Sequence, residues 1–390
     1  MRTSARPTTA QRAVSESVPV DIPEPVPDWA VRYNAGDYPP HAVTGDAVAL
    51  ALDWSGGNCR LHALLVVRAK EPFAGLDAWP GGFMDWMEDA DSVQTAIREL
   101  REETGLDAPE FVEALASYSR NGRDPRQFAG YRDETSGEWI ARGARVTTNA
   151  YLMLVRKPTD GSGPTAADDA SEARWVDVYS HLPWEDLREA SRAPSANAAG
   201  EVLHVWAAEG GQDRVRRVHD VFGRDDWNEE RTSDRYGLLV EAGLVPEARR
   251  DLWGRAEERE GDDRFGRPMA FDHRRILADA LGRLRGKIKY MPSTLMALTG
   301  PDVTLDELQA ACEAIAGRPL HRANFRRAVA HTGAGAPRAP RLVGRTGQTR
   351  AREARGPGVA PEIYRFLPEA THARLETSIR FPWLPLADTR

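Results

Sequence analysis

The chain has 390 residues and a mass of 43.1 kDa, more than one ordinary domain holds, so two or three domains are expected. Its 52 basic and 59 acidic side chains leave a net charge of −7, which excludes a uniformly basic nucleic-acid binder but not a local basic face. A hydrophobic fraction of 41% with 11 Trp and 10 Phe excludes wholesale disorder. No apolar run approaches the roughly 18 residues that a bilayer span needs. Cys59 and Cys312 make neither a disulfide framework nor a zinc site. No apolar signal core follows Arg2, so a soluble, cytoplasmic protein with no membrane partner is expected.

Residues 1–40 are rich in Pro, Ser and Thr without periodicity and read as a disordered lead-in. Ala47 to Trp54 and His62 to Arg68 are short apolar runs bounded by turn residues, which predicts strands. Ser92 to Thr104 is a helix by pattern: Val93, Ala96, Ile97 and Leu100 form one apolar stripe. Asp91 is placed to cap it, with Gln94 at the capping-box position, and Gly105 ends it. Thr147 to Val155 and Ala173 to Val178 read as further strands. The alternation predicts an α/β layer domain over 41–183.

Residues 184–268 are helical in texture and carry no catalytic constellation; Asp234 to Val240 reads as a helix ending at Gly243, and Pro246 opens another through Trp253. From Phe271 an amphipathic helix runs to about Ile288. Thr304 to Ala316 is a second helix, with Thr304 and Glu307 as a capping box. Leu320 to Ala330 is a third, followed by a Gly/Arg-rich stretch and the strand-like Glu362 to Phe366. These make a unit over 269–368 before a tail at 369–390. His273, a lone histidine at a helix start, is read as a cap or core residue.

The chemistry concentrates in Gly81-Gly82-Phe83-Met84-Asp85-Trp86-Met87-Glu88 and Arg98-Glu99-Leu100-Arg101-Glu102-Glu103-Thr104-Gly105. On a helix, Glu99 lies one turn from both Glu102 and Glu103, so three carboxylates crowd the face opposite the apolar stripe. Such a face suits a hard cation held by oxygens, with Glu88 as a further ligand swinging in from the loop. The paired glycines allow the loop to approach closely. A metal so held neutralises a diphosphate and activates water.

This string resembles the Nudix box: Gly82, Glu88, Arg98, Glu99, Leu100, Glu102, Glu103, Gly105 and Leu106 fall in its order. The family places seven residues between the first glutamate and the arginine, whereas Asp89 to Ile97 makes nine here. The resemblance implies a Nudix α/β/α sandwich with a mixed sheet. It also implies Mg²⁺, with Mn²⁺ as the alternative, on Glu99, Glu102, Glu103 and Glu88, and Arg98 orienting a glutamate. Asn121-Gly122-Arg123-Asp124-Pro125-Arg126 is similar to a loop of ADP-ribose-type Nudix proteins. By that likeness Arg123 and Arg126, with Arg68, Gly81 and Gly82, would contact a nucleoside diphosphate. A hairpin-sized segment, about Gln127 to Ala144, follows the loop.

Further on, Ala270-Phe271-Asp272-His273, Thr304 to Gln309 and Gly317-Arg318-Pro319-Leu320-His321-Arg322-Ala323-Asn324-Phe325-Arg326-Arg327 resemble the winged-helix end of the NrtR family. Those proteins are Nudix-plus-winged-helix regulators that sense ADP-ribose. Arg318 to Arg355 holds ten arginines and one glutamate, a footprint for phosphate backbone. The resemblance implies duplex DNA as a partner of Arg318, Arg322, Asn324, Arg326 and Arg327, and a homodimer. The roughly 85 residues of 184–268 have no counterpart in short family members. They are placed to lid the pocket, enlarge a dimer contact or decouple the two ends. Two functions follow: a Mg²⁺-dependent hydrolase of ADP-ribose or a related compound carrying an accessory winged helix, or a regulator whose Nudix domain senses the nucleotide without cleaving it.

Overall fold

Strand β1 (His41–Asp53) is almost wholly buried from Thr44 onward, and that accounts for its unbroken apolar run: both faces of the strand are covered. In the computed structural model the described residues are 32–34, 37, 40–106, 109–158, 163–165, 170–188, 193–223, 227–250, 263–330, 342–350 and 360–368. The lead-in and the tail lie almost entirely outside them. After β1 come β2 (Arg60–Arg68), the short β3 (Asp77–Ala78) and β4 (Gly81–Phe83), and helix α1 (Ser92–Thr104). Then follow β5 (Phe111–Tyr118), the small hairpin β6 (Gly130–Arg132) and β7 (Trp139–Ala141), β8 (Arg145–Leu154) and β9 (Ala170–Asp177).

Seven of these strands form one sheet with the central order β3-β2-β1-β8-β5, β4 pairing with β1 and β9 with β2. β1 and β8 run parallel and the other pairs antiparallel, so the sheet is mixed as expected. Helix α1 covers one face, with Ala96 and Leu100 on Ala47, Ala49, Leu64 and Met153. Its start is capped by the Asp91 carboxylate, which accepts from the amides of Val93 and Gln94, and its end by Gly105 in the left-handed region. Gln94 departs from a capping box: its side-chain oxygen accepts from Ala90, not from Asp91.

The middle segment supplies α2 (Ala193–Ala208), α3 (Gln212–Phe222) and α4 (Thr232–Glu241). The helix expected from Pro246 is a four-residue 3-10 turn, Pro246–Arg249, and 251–253 lie outside the described residues. Then come α5 (His273–Tyr290), α6 (Ser293–Thr299), β10 (Asp302–Thr304), α7 (Leu305–Ala316), α8 (Arg322–Ala330), β11 (Val343–Thr349) and β12 (Glu362–Phe366). β10, β12 and β11 form a three-stranded sheet beside α7 and α8. The predicted capping box of α7 is present, with Thr304 Oγ1 accepting from the Glu307 amide and the Glu307 carboxylate from the Thr304 amide.

The sheet's second face is not closed within 41–183. Its residues Val48, Leu50, Leu61 and Leu65 share one apolar core with Leu277, Leu281, Leu308 and Ile315 of α5 and α7. The second helical layer of the sandwich therefore comes from beyond residue 270. The middle segment is bound into the same body. Arg235 of α4 and Arg285 of α5, both fully buried, share the carboxylate of Glu185 at 2.6 and 2.5 Å. Arg285 also donates to the carbonyl of Glu229. A pair so deeply buried is held by many hydrogen bonds, and its loss leaves an uncompensated charge. The segment also touches the N-terminal part, where Arg188 donates to the Cys59 carbonyl and the Arg267 amide to that of Ser180.

Candidate functional site

A cavity of about 590 Å³ opens between the β1–β4 edge of the sheet, α1 and the start of α5. Glu99, Glu102 and Glu103 all line it, together with Gly81, Gly82, Arg68, Arg123 and Arg126. Two glycines bring β4 onto the acids. An added Cβ on Gly82 would lie 2.1 Å from Glu99 Oε1, and one on Gly81 would lie 2.5 Å from Asp46 Oδ1. With both carboxylates where they stand, only a residue without Cβ fits either place.

The acids are arranged around Arg98. Its Nη1 donates to Glu99 at 2.8 Å and to Glu102 at 3.0 Å, and its Nε and Nη2 make a bidentate contact to Asp89 at 3.0 and 2.9 Å. That hydrogen bond from Arg98 holds the Asp89 carboxyl below its usual range, and Asp89 in turn holds the guanidinium charged. Glu103 Oε2 accepts from the Gly81 amide at 3.1 Å. Burial pushes the Glu103 carboxyl up to about 8 and raises that of Glu99.

Among the described residues no group of three His, Cys, Asp or Glu side chains is gathered as around an ion. Arg98 draws one oxygen of Glu99 and one of Glu102 to itself. Each of the three glutamates keeps its other oxygen without a hydrogen bond among the described residues. Three such oxygens, two of them on the buried carboxylates of Glu99 and Glu103, match the donor set of a hard divalent cation.

Glu88 does not join them. It is exposed in the turn after β4, outside the cavity lining, and the loop acid that reaches the helix is its neighbour Asp89. The shorter Asp89 takes the inward position, with Thr95 Oγ1 and the Asp85 amide donating to it.

Sequence reasoning missed Asp46; His273 is the buried residue at a helix start that was expected, and it also lines the cavity. Asp46 sits fully buried in β1 at the cavity wall, its Oδ2 without a hydrogen bond among the described residues. Burial raises its carboxyl to about 7, against the pull of Arg123. His273 Nδ1 accepts from the Trp79 amide at 3.0 Å, so the ring proton of the neutral imidazole is on Nε2, 3.5 Å from Asp46 Oδ2. Burial keeps His273 well below its ordinary value and therefore neutral. A lone acid inside an apolar strand run was the available signal for Asp46. His273 gives none, because its place depends on a contact with the distant Trp79.

The arginines are more occupied than the sequence implied. Arg123 makes a bidentate pair with Asp272 at 2.6 and 3.0 Å. Arg126 pairs with Asp124 and lies over the rings of Phe83 and Phe271, at 4.8 and 5.4 Å from their centroids. Arg68 donates to the Pro72 carbonyl and lies 4.9 Å from the Phe271 centroid. Phe271, on the C-terminal side of the middle segment, thus closes the cavity of the N-terminal sheet.

The residues predicted to meet DNA divide. Arg322, Asn324 and Arg327 are exposed on α8, and Arg326 is half-buried. Phe325 and Val329 pack inward as expected. Both Arg322 and Arg326 donate to the Asp306 carboxylate, at 3.0 and 2.8 Å. Arg318 is buried, beside Glu229, Arg235 and Arg285, and does not present its guanidinium to a groove. Of the Gly/Arg-rich stretch, 331–341 and 351–359 lie outside the described residues. No helix among the described residues is long and apolar enough to cross a membrane.

Comparison with known proteins gives a consistent assignment for the N-terminal part. Residues 45–196 match the NUDIX domain. The chain is 36% identical over 98 residues to the ADPR responsive transcriptional repressor NtrR of Acinetobacter baylyi, covering 25% of this chain and 37% of that protein. It is 43% identical over 120 residues to an ADP-ribose pyrophosphatase of Methanocaldococcus jannaschii, covering 31% of this chain and 56% of that one. The chain thus spans little more than half the length of either relative at most. The crystal structure of Shewanella oneidensis NrtR aligns with a TM-score of 0.45 at 21% identity, over 86% of this chain and 99% of that one. The matched segment contains the mixed sheet, the glycine pair and the acid-bearing helix, and the chain accordingly carries a NUDIX domain over residues 45–196.

Proposed function

We propose that the protein hydrolyses the diphosphate of ADP-ribose or a related nucleoside diphosphate derivative with Mg²⁺. The observation that carries this reading is the convergence of Glu99, Glu102 and Glu103 on one cavity that also receives Arg68 and Arg126. The three glutamates would hold the metal, which supplies charge neutralisation of the diphosphate and activation of water. Arg126, stacked between two aromatic rings, is suited to bind a phosphate oxygen or to cover a ribose or base. Arg98 fixes the rotamers of Glu99 and Glu102. The likeness to an ADP-ribose pyrophosphatase over the matched segment supports the choice of substrate. The test is incubation with ADP-ribose and Mg²⁺, following release of AMP and ribose 5-phosphate, with Glu103→Gln as control. Turnover equal in both proteins would remove the assignment.

A second reading rests on its own observation. The order α6, β10, α7, α8, β11, β12, with β10, β12 and β11 in one sheet, supports a winged helix, and α8 presents Arg322, Asn324 and Arg327 to solvent. This reading is of a cytoplasmic homodimer that binds duplex DNA and responds to ADP-ribose in the same cavity, and the likeness to an ADPR-responsive transcriptional repressor supports the response to ADP-ribose. Saturable ADP-ribose binding without turnover, together with ligand-sensitive retention of a DNA duplex, would favour this reading over the first.

A further inference from the structure

A second cavity, of about 400 Å³, lies behind the first, and Arg123 and Phe271 line both. Its volume falls in the range of roughly 300–1,000 Å³ that holds small organic ligands. The remaining wall comes from the middle segment, through Tyr236, Glu247 and Arg250, and from Arg275 of α5 and Arg120 of the loop after β5.

The chemistry of that wall is unbalanced. Arg250 donates to the carbonyls of Phe271 and Met269 and lies 4.8 Å from the Phe73 centroid; Arg275 lies 5.6 Å from that of Tyr236. Among the described residues no carboxylate stands within salt-bridge distance of Arg120, Arg250 or Arg275. Glu247 is the opposite case. It lies deep in the wall, where its Oε1 accepts from the Met269 amide at 3.0 Å and lies 3.4 Å from Arg274 Nε. Its Oε2 has no hydrogen-bond partner among the described residues. An unsatisfied buried carboxylate oxygen is costly and is relieved by a donor. Glu247 and Asp272 act on Arg250 only from beyond salt-bridge distance, and guanidinium groups without a paired acid are relieved by an anion. Aromatic side chains beside both accept a flat ring.

We propose that the middle segment builds a second binding site here, for a nucleoside monophosphate whose base bears an amino group. The arginines at the mouth take the phosphate, the aromatic wall takes the base, and Glu247 Oε2 accepts from its amino group. None of the three glutamates of α1 lines this cavity, so the site does not depend on the hydrolytic reading. It gives the segment a purpose that its sequence does not declare. It also places a ligand against the Arg123–Asp272 pair, the wall shared with the first cavity.

The test is calorimetric titration of AMP into the full chain without divalent metal. Inorganic phosphate and ribose 5-phosphate serve as partial probes, and Arg126→Ala and the double variant Arg120→Ser/Arg275→Ala as the two perturbed proteins. Two classes of AMP site are expected. The double variant should weaken one by roughly tenfold or more, and Arg126→Ala should affect only the other. Glu247→Gln, which keeps an acceptor for Met269, should weaken AMP more than ribose 5-phosphate. A single class of site lost in Arg126→Ala and intact in the double variant would overturn the proposal. So would inorganic phosphate binding as tightly as AMP.

Discussion

Arg123, in the loop after β5, and Asp272, the residue before α5, face each other in a bidentate ion pair that divides the two cavities. The arginine side chain is 3% exposed and the aspartate 19%. Deleting the acid leaves a buried guanidinium without its carboxylate, whereas deleting the arginine leaves a carboxylate that water partly reaches. Asp272→Ala should therefore cost more stability than Arg123→Ala, about 3 kcal/mol for the former. The double change should cost less than the sum of the two. Urea unfolding midpoints of the three variants measure this, and equal single losses would show that the pair is solvated.

The buried acids Asp46 and Glu103 make stability depend on pH. Both have folded-state values raised by burial, to about 7 and about 8, from 3.8 and 4.5. Between those limits the folded chain holds protons that the unfolded chain has released. Stability of the metal-free protein must then fall as pH rises through this window, and level off above it. Asp46→Asn removes its share of the loss and should be more stable than the wild type near pH 8, on the order of a few kcal/mol. The two should converge near pH 4. Thermal unfolding across this range is the measurement. Mg²⁺ should raise the unfolding temperature more at pH 8 than at pH 5.5, because it favours the ionised glutamates.

The two glycines of β4 predict different defects. The Cβ of Gly82→Ala meets the Glu99 carboxylate, a side-chain end that can move, so the fold survives while Glu99 leaves its bond to Arg98. Hydrolysis should drop by at least about tenfold, the loss of roughly one positioned charged group, with the unfolding temperature little changed. Gly81→Ala also meets the Gly45 carbonyl at 2.8 Å, which is backbone within the sheet. That strain should cost about 1–3 kcal/mol. Paired activity and melting measurements separate the two.

What the sequence revealed depended on whether a residue's place is set locally. Helix α1 was legible to the residue, because its stripe, its Asp91 cap and Gly105 all lie within it. The capping box of α7 was legible for the same reason. β5 was not: only two of its eight residues are buried, it sits at the sheet edge, and a register shift between Ala114 and Ala116 breaks its alternation. β11 was hidden by its Gly and Arg content. At the site, Glu99, Glu102 and Glu103 followed from helical spacing. That Asp89 and not Glu88 turns toward Arg98 did not, because the conformation of the loop decides which acid faces inward. Arg318 looked like part of a basic face. It is buried because the middle segment, with Glu229 and Arg235, packs over it.

The pairing of Arg322 and Arg326 with Asp306 bears on the reading that α8 meets DNA. One carboxylate on α7 holds both guanidinium groups, with the acid 58% exposed. Exposed pairs of this kind are worth little, about 0–1 kcal/mol, so the arginines remain available to phosphate, in competition with Asp306. Asp306→Asn removes the competitor and a repulsive charge near the duplex, and should strengthen binding to any DNA sequence. Arg322→Ala with Arg326→Ala should weaken binding about uniformly, and lower the slope of log K against log salt by roughly 0.9 for each phosphate no longer neutralised. Filter retention of a duplex at several salt concentrations measures both. If neither change moves the affinity or the slope, α8 is not the element that meets the backbone.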